Sequence, residues 1–179
     1  IDMANQRIER GTALGFIYAR DRLAIGGIRS EAIDGLGGDG DEITIATGLV
    51  AVRLEDFEAA DPELAATKST RSIVEYYFTC SPAWMLHVRQ REPDADWITY
   101  LDGDLYFFAS PEAVYAELAA ATVAIIPHRY APNLAKRRVF GTYNVGWVGM
   151  RNDPDGIAVI RWWRERCIEW CFDHVDGER

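Results

Sequence analysis

The sequence has no hydrophobic run long enough to cross a membrane. Its longest uncharged apolar stretch is LAAATVAIIP at Leu118–Pro127, ten residues, whereas a membrane-spanning helix needs about 20. No signal peptide opens the sequence either. We therefore expect a soluble protein without a transmembrane segment.

Cysteine is scarce. Three cysteines in 179 residues are too few, and odd in number, for a disulfide framework, and they favour a reducing compartment. We expect a cytoplasmic protein, with peripheral association at the inner membrane left open.

Basic side chains are in the minority. Nineteen Lys and Arg stand against 28 Asp and Glu, so the net charge is -9, which argues against a nucleic-acid partner because a phosphate backbone binds basic surfaces. The local exception is the basic run at Lys136, Arg137 and Arg138. Such a run is usually a solvated loop, but it can also close over a diphosphate or contact an acidic lipid.

Apolar residues, in contrast, are plentiful. They make up 49% of the chain, enough for a sizeable core in one domain over residues 1–179. Strand-like Trp97–Leu101, helical Pro111–Leu118 and strand-like Thr122–Ile126 alternate, which is typical of parallel strands joined by right-handed crossovers. A further strand is predicted at Tyr143–Met150 and an amphipathic helix at Ile157–Phe172. The sequence therefore predicts an α/β fold with a central, Rossmann-like, mostly parallel sheet flanked by helices.

Two further helical predictions concern earlier segments. Ile8–Arg20 has apolar residues near helical spacing. In Arg71–Arg91 this spacing is interrupted at Ser81 and Pro82, a pair suited to the start of a helix. We therefore expect two consecutive helices there.

The stretch WITYLDGDLYFFASP places two aspartates, Asp102 and Asp104, one residue apart at the end of an apolar run. Like charges repel, and apolar neighbours make ionisation costly, so both carboxylates stay charged only beside a cation. Hard oxygen ligands suit Mg²⁺ or Mn²⁺. Gly103 between them allows a substrate to approach closely. The alternative is a plain Asp-Gly turn that closes a strand.

Several stretches of the sequence, in this order, resemble glycosyltransferases of the GT-A fold, in particular bacterial nucleotide-diphospho-sugar transferases. They are RSIVEYYFTCSP at Arg71–Pro82, ITYLDGDLYFFASP at Ile98–Pro111, VAIIPHRY at Val123–Tyr130, YNVGWVGMR at Tyr143–Arg151 and RWWRERCIEWC at Arg161–Cys171. The resemblance runs from about Ile8 to the end of the chain. It implies a GT-A-like fold and transfer of a sugar from a nucleotide-diphosphate donor to an acceptor hydroxyl on a saccharide or a lipid-linked molecule.

The resemblance also implies roles for particular residues. Asp102 and Asp104 match the Asp-x-Asp pair that binds a divalent metal on the donor diphosphate. Asn144 and Gly146 are similar to an Asn-x-Gly element that lines the donor-sugar pocket. Arg71 is similar to a basic residue that reaches the donor. Compared with the family, part of a first strand and a C-terminal polar segment are missing, which puts the activity of this chain in question.

Other residues are open to more than one interpretation. His128 follows a strand and is a candidate acceptor contact or metal ligand, or a plain loop histidine. Trp147 is a core residue or a platform for sugar stacking. Cys167, Cys171 and His174 share one helical face, with Cys80 a conceivable fourth zinc ligand, although buried cysteine is most often a small hydrophobe.

Two other functions fit the same motif. A haloacid dehalogenase-type phosphatase also carries Asp-x-Asp after an apolar strand, but there the motif usually opens the domain. A truncated or inactive module that binds sugar nucleotides without turnover is the alternative from outside the enzymes. No residue of the sequence is identified as a catalytic base.

Overall fold

The computed structural model of the chain describes residues 15–19, 23–29, 42–46, 49–102, 105, 108–118 and 120–174. The strands described are β1 Gly15–Ala19, β2 Leu23–Arg29, β3 Glu42–Ala46, β4 Leu49–Arg53, β5 Trp97–Leu101, β6 Val123–Pro127 and β7 Tyr143–Arg151. The α-helices are α1 Leu54–Ala60, α2 Pro62–Thr67, α3 Ile73–Arg91, α4 Glu112–Glu117 and α5 Pro154–Glu169. Short 3₁₀ helices cover Lys68–Thr70 and Pro132–Phe140.

The seven strands form one sheet in the order β3-β4-β1-β2-β5-β7-β6. Among the strands that the structure describes, only the pairing of β2 with β5 is parallel, and the other five pairings are antiparallel. The prediction of a mostly parallel, Rossmann-like sheet is therefore wrong. The fold is a mixed α/β arrangement around a predominantly antiparallel sheet.

The error has a clear physical origin in the position of β7. Strands β5 and β6 point in the same direction and are joined through α4, as the alternation predicted. However, β7 returns from β6 through a loop and inserts between the two, antiparallel to both. A parallel pair that is close in sequence is thereby replaced by two antiparallel ladders. The order of strands in a sheet is a long-range property, so local alternation does not determine it.

Two of the helix predictions differ from the structure. Gly15–Ala19 is a strand, so the helix expected over Ile8–Arg20 is wrong there, and residues 8–14 and 20 lie outside the described part of the chain. The two helices expected within Arg71–Arg91 are one continuous helix, α3, that runs through Pro82. A proline inside a helix costs about 3 kcal/mol, and burial of the surrounding face offsets this cost.

Helix α3 is the central support of the sheet. It begins at a capping box, in which the Ser72 hydroxyl accepts from Glu75 N (3.3 Å) and the Glu75 carboxylate accepts from Ser72 N (2.6 Å). Such a cap stabilises a helix by about 1 kcal/mol. The fully buried Trp84, Met85 and Val88 pack against the sheet. Each buried side chain of this size contributes roughly 1.5–3 kcal/mol.

The helices lie on both faces of the sheet. Residues of α1, α2, α3 and α5 pack with Ile98 and Tyr100 of β5 on one face, and the small cluster of Trp97, Tyr115 and Ala124 places α4 on the other. Because α5 follows the antiparallel strand β7, it runs back beside α3 in the opposite direction. The end of β5, the start of α3 and the end of α5 therefore meet at the same end of the sheet. No helix in the described residues is long and apolar enough to cross a membrane.

Candidate functional site

Asp102 lies directly after β5, at the end of a strand whose five residues are all buried. Its backbone N–H donates to the carbonyl of Gly146 (3.1 Å), which extends the β5–β7 ladder by one pair. Its own carbonyl accepts from Leu105 N (3.2 Å), so the chain turns at this point. Gly103 and Asp104, the rest of the predicted motif, lie outside the described residues. The predicted strand Trp97–Leu101 is present, and Asp102 lies half-buried at its end.

Asn144 and Gly146 face Asp102 from β7. A Cβ atom placed on Gly146 would lie 3.1 Å from Asp102 Oδ2 and 3.0 Å from Asn144 Oδ1. The Asn144 side-chain oxygen also accepts from Gly146 N (2.7 Å), which fixes its orientation. Both side-chain oxygens therefore lie about 3 Å from the position that a Cβ atom of residue 146 would occupy. The structure brings these three residues together although 42 positions separate Asp102 from Asn144.

Tyr100 and Ser81 belong to this site as well, and the sequence reasoning did not identify them. Tyr100 is buried and lies two residues before Asp102, so both side chains project from the same face of the strand. Burial raises the pKa of the Tyr100 hydroxyl far above its ordinary value; its interaction with Ser81 opposes this effect and that with the Asp102 carboxylate adds to it. In a strand, residues two positions apart project from the same face. This alternation could have indicated from the sequence that Tyr100 lies beside Asp102.

The chemistry of this group suits a divalent cation. A carboxylate and an amide oxygen are hard ligands of the kind that Mg²⁺ and Mn²⁺ prefer. A β-carbon on residue 146 would crowd both oxygens. Glycine, which has no β-carbon, leaves both of them accessible to a ligand. Among the described residues, Asp102 and Asn144 are the two that could hold such an ion here.

Arg71, predicted as a donor contact, binds the end of α5. Its guanidinium donates to the carbonyl of Ile168 (3.0 Å) and, at 3.5 Å, to that of Cys167, and it stacks on the Phe172 ring with a distance of 3.7 Å to the centroid. A cation is favourable there because the carbonyl end of a helix carries partial negative charge. In the structure Arg71 therefore links the start of α3 to the end of α5.

His128 and Trp147 lie near the site but not in the oxygen group. His128 is half-buried, donates its backbone N–H to Thr142 O (2.9 Å) and stacks on Tyr130 with ring centroids 4.6 Å apart. Trp147 packs with Tyr115 of α4, with ring centroids 6.1 Å apart, and so belongs to the α4 side of the sheet. Asp102 faces the other side with Tyr100.

A second group of possible ligand atoms lies where α5 ends. Atoms of Glu75, Asp173 and His174 come within 4.8 Å of one another, the only such group of His, Cys, Asp and Glu among the described residues. The Glu75 carboxylate accepts backbone N–H bonds from Asp173 (2.9 Å) and Ser72 (2.6 Å), which lower its pKa to about 2. Both oxygens of Glu75 therefore accept hydrogen bonds within the fold. These bonds link the start of α3 to the segment after α5.

The zinc set considered for the cysteines is not assembled in the described residues. Cys167 and Cys171 hydrogen-bond each other, which lowers the pKa of the Cys171 thiol, and Arg71 nearby acts in the same direction. Cys80 is fully buried, and burial raises the pKa of its thiol. His174 lies with Glu75 and Asp173 instead. All three cysteines are free thiols.

A cavity of about 320 Å³ lies among α1, α3 and α5, away from the oxygen group. Phe57, Leu86 and His87 line it, together with Arg164. Arg164 is held by Asp61 through a bidentate pair (2.6 and 2.9 Å), so its charge is already matched. None of the residues predicted from the sequence as site residues lines this cavity.

Two curated proteins of Bacillus subtilis (strain 168) are similar to the chain. It is 36% identical over 129 residues to the uncharacterized protein YfnD, a match that covers 72% of this chain and 41% of YfnD. It is 31% identical over 115 residues to the uncharacterized protein YfnF, covering 60% of this chain and 38% of YfnF. The chain thus spans about two fifths of the length of these relatives. No protein-family model matches the chain, and no solved structure matches it.

Proposed function

We propose that this chain carries the donor-binding site of a metal-dependent glycosyltransferase, similar to bacterial nucleotide-diphospho-sugar transferases. The enzyme would move a sugar from a nucleotide-diphosphate donor to an acceptor hydroxyl of a saccharide or a lipid-linked molecule. The observation that supports this best is the meeting of Asp102, Asn144 and Gly146 at the end of β5. The proposal depends on this group and not on the direction of the strands.

The residues of the group have distinct tasks in the proposed site. Asp102 and Asn144 supply oxygen ligands for Mn²⁺ or Mg²⁺, and the sequence adds Asp104 as a third candidate. The bound ion would neutralise negative charge on the departing diphosphate. Tyr100 faces the Asp102 carboxylate from the buried side and positions it. Gly146 leaves room for the ligand between the two oxygens.

The remaining features agree with a cytoplasmic enzyme. All three cysteines are free, which is the usual state in a reducing compartment. The loop between β6 and β7, which carries exposed cations, leaves the sheet at the end where β5 stops, and an anionic nucleotide sugar would bind at this end in the proposed site.

Calorimetry with UDP and with GDP, each with and without Mn²⁺, tests the proposal. Binding should require the metal. Asp102→Asn should weaken it at least about tenfold, which corresponds to about 1.4 kcal/mol. Asp96→Asn is the matched control, because Asp96 is exposed at the opposite end of the same strand. Equal affinity of the two variants would contradict the site.

Turnover separates the remaining alternatives. Release of nucleotide diphosphate from a panel of sugar donors would support a transferase. Metal-dependent binding without turnover would instead identify a sugar-nucleotide-binding module. Phosphate release without any nucleotide preference would favour a phosphatase.

A further inference from the structure

Large apolar side chains are exposed on β6, on β7 and on the loop that joins these two paired strands. Six of the thirteen exposed large hydrophobic residues that the structure describes belong to this part of the chain. We call these the apolar end face: Ile125 and Ile126 of β6, Leu134 and Val139 of the loop, and Tyr143 and Val145 of β7. Exposed apolar patches of this kind mark surfaces that bind a partner or a membrane.

The same end carries an unusual charge distribution. Residues 118–152 contain five Lys or Arg and no Asp or Glu, in a chain whose net charge is -9. Four of these cations, Arg129, Lys136, Arg137 and Arg138, are exposed in the loop between β6 and β7. None of the four forms an ion pair with another described residue. The loop is thus a local positive surface on an acidic protein.

The cations and the apolar side chains share one segment. Within the 3₁₀ helix Pro132–Phe140, residues 132–139 are all exposed. Val139 is 81% exposed and follows the three consecutive cations directly, and Leu134 precedes them. A segment that offers both basic and apolar side chains to solvent suits the interface of an anionic bilayer, where cations meet head groups and apolar groups enter the acyl boundary.

We propose that the apolar end face docks on a membrane surface that contains anionic lipid, with the loop between β6 and β7 as its main contact. Charge complementarity favours an anionic membrane as the partner, because the loop carries basic residues and no acidic residue. The exposed apolar side chains beside these cations would in addition be buried in the acyl region of the membrane. Nucleic acid would match the cations but not the surrounding aliphatic side chains. The docking does not depend on the proposed function. If that function holds as well, Asp102 lies at the same end of the sheet, where a lipid-linked acceptor would come from the membrane.

Co-sedimentation of the whole chain with vesicles tests the proposal in the absence of nucleotide and metal. Phosphatidylcholine vesicles with phosphatidylglycerol should bind the protein, and pure phosphatidylcholine vesicles should not. Added salt should weaken the binding because the head-group attraction is screened. Equal binding to both vesicles, or none to either, would overturn the proposal.

Two matched pairs of variants locate the contact. Arg137→Glu should weaken binding about tenfold or more, since each cation near an anionic surface contributes roughly a factor of five. Arg161→Glu, an exposed cation of α5 elsewhere on the protein, should leave binding unchanged. Val139→Asn should weaken binding, whereas Trp162→Asn, at a 61% exposed apolar side chain, should not.

Sedimentation velocity distinguishes a membrane from a second copy of the chain. A dimer that Val139→Asn dissociates, together with failure to bind anionic vesicles, would show that the apolar end face is a protein interface and would refute membrane docking. Neither result would affect the proposed metal-dependent nucleotide binding, because calorimetry measures that binding without lipid. Failure of membrane docking and failure of the proposed function are therefore distinguishable.

Discussion

Gly146→Ala is the most direct test of the geometry around Asp102. The added methyl would lie 3.0 Å from Asn144 Oδ1 and 3.1 Å from Asp102 Oδ2. Both contacts are shorter than ordinary van der Waals contact, so the two oxygens must move away from the methyl by a few tenths of an ångström. Metal–ligand distances tolerate only about 0.2 Å. We therefore expect metal-dependent nucleotide affinity to fall at least about tenfold, or about 1.4 kcal/mol.

The same substitution should change stability little. Crowding of a packed position costs about 1–3 kcal/mol, but here the methyl meets the ends of two side chains, and alanine recovers about 0.5–1 kcal/mol of the backbone entropy that glycine loses. The free energy of unfolding should therefore change by less than about 1 kcal/mol, which thermal denaturation would register as a shift of about 2–4 °C at most.

Gly149→Ala is the control in the same strand. Its Cβ would lie 3.2 Å from Thr99 Oγ1 and 3.3 Å from Ala124 Cβ, away from the oxygen group. It should lower stability and leave nucleotide affinity, measured by calorimetry with Mn²⁺, as in the unmodified protein. Unchanged affinity in Gly146→Ala, or an equal loss in Gly149→Ala, would refute the reasoning about the oxygen pair.

Three further predictions follow from other contacts. Arg71→Met removes the hydrogen bonds to the end of α5 and should lower the free energy of unfolding by about 1–3 kcal/mol. Nucleotide affinity measured by calorimetry should stay unchanged. Lost affinity at unchanged stability would instead support a contact between Arg71 and the donor. Tyr100→Phe should reduce metal-dependent affinity several-fold, because the hydroxyl that faces the Asp102 carboxylate is gone, while circular dichroism stays unchanged; wild-type affinity would remove Tyr100 from the site. The pKa of Glu75 is about 2 in the fold against an ordinary 4.5, so its charged form stabilises the fold above about pH 4.5 and this contribution disappears as the pH falls toward 2. Chemical denaturation across this range should show a weaker loss of stability on acidification in Glu75→Gln than in the unmodified protein.

Much of the local structure around the site was predictable from the sequence. The uninterrupted apolar run before Asp102 predicted a buried strand, and Trp97–Leu101 is buried at every position. The predicted strand and helix on either side of Asn152 are present as β7 and α5, and Asp153 caps α5 by accepting from Gly156 N (2.8 Å). Signals of this kind operate over a few residues, through side-chain alternation and caps.

The proline in α3 shows where local signals fail. Ser81 and Pro82 are good starting residues for a helix, and the sequence therefore predicted a break. In the fold both are buried and the helix continues through them. Tertiary packing of the face that contains Trp84 outweighs the local preference, because burial of several large side chains exceeds the cost of one lost backbone hydrogen bond.

The sequence by itself determined that an acidic residue ends a buried strand and that a glycine-bearing strand follows later in the chain. Only the tertiary structure decided that β7 inserts between β5 and β6, and this insertion places Asn144 and Gly146 opposite Asp102. It also decided that Arg71 turns to α5 and that Tyr100 lies behind Asp102. The physical reason is that strand order and side-chain partners depend on which surfaces are buried together across the whole chain, whereas sequence patterns report only the near neighbours of each residue.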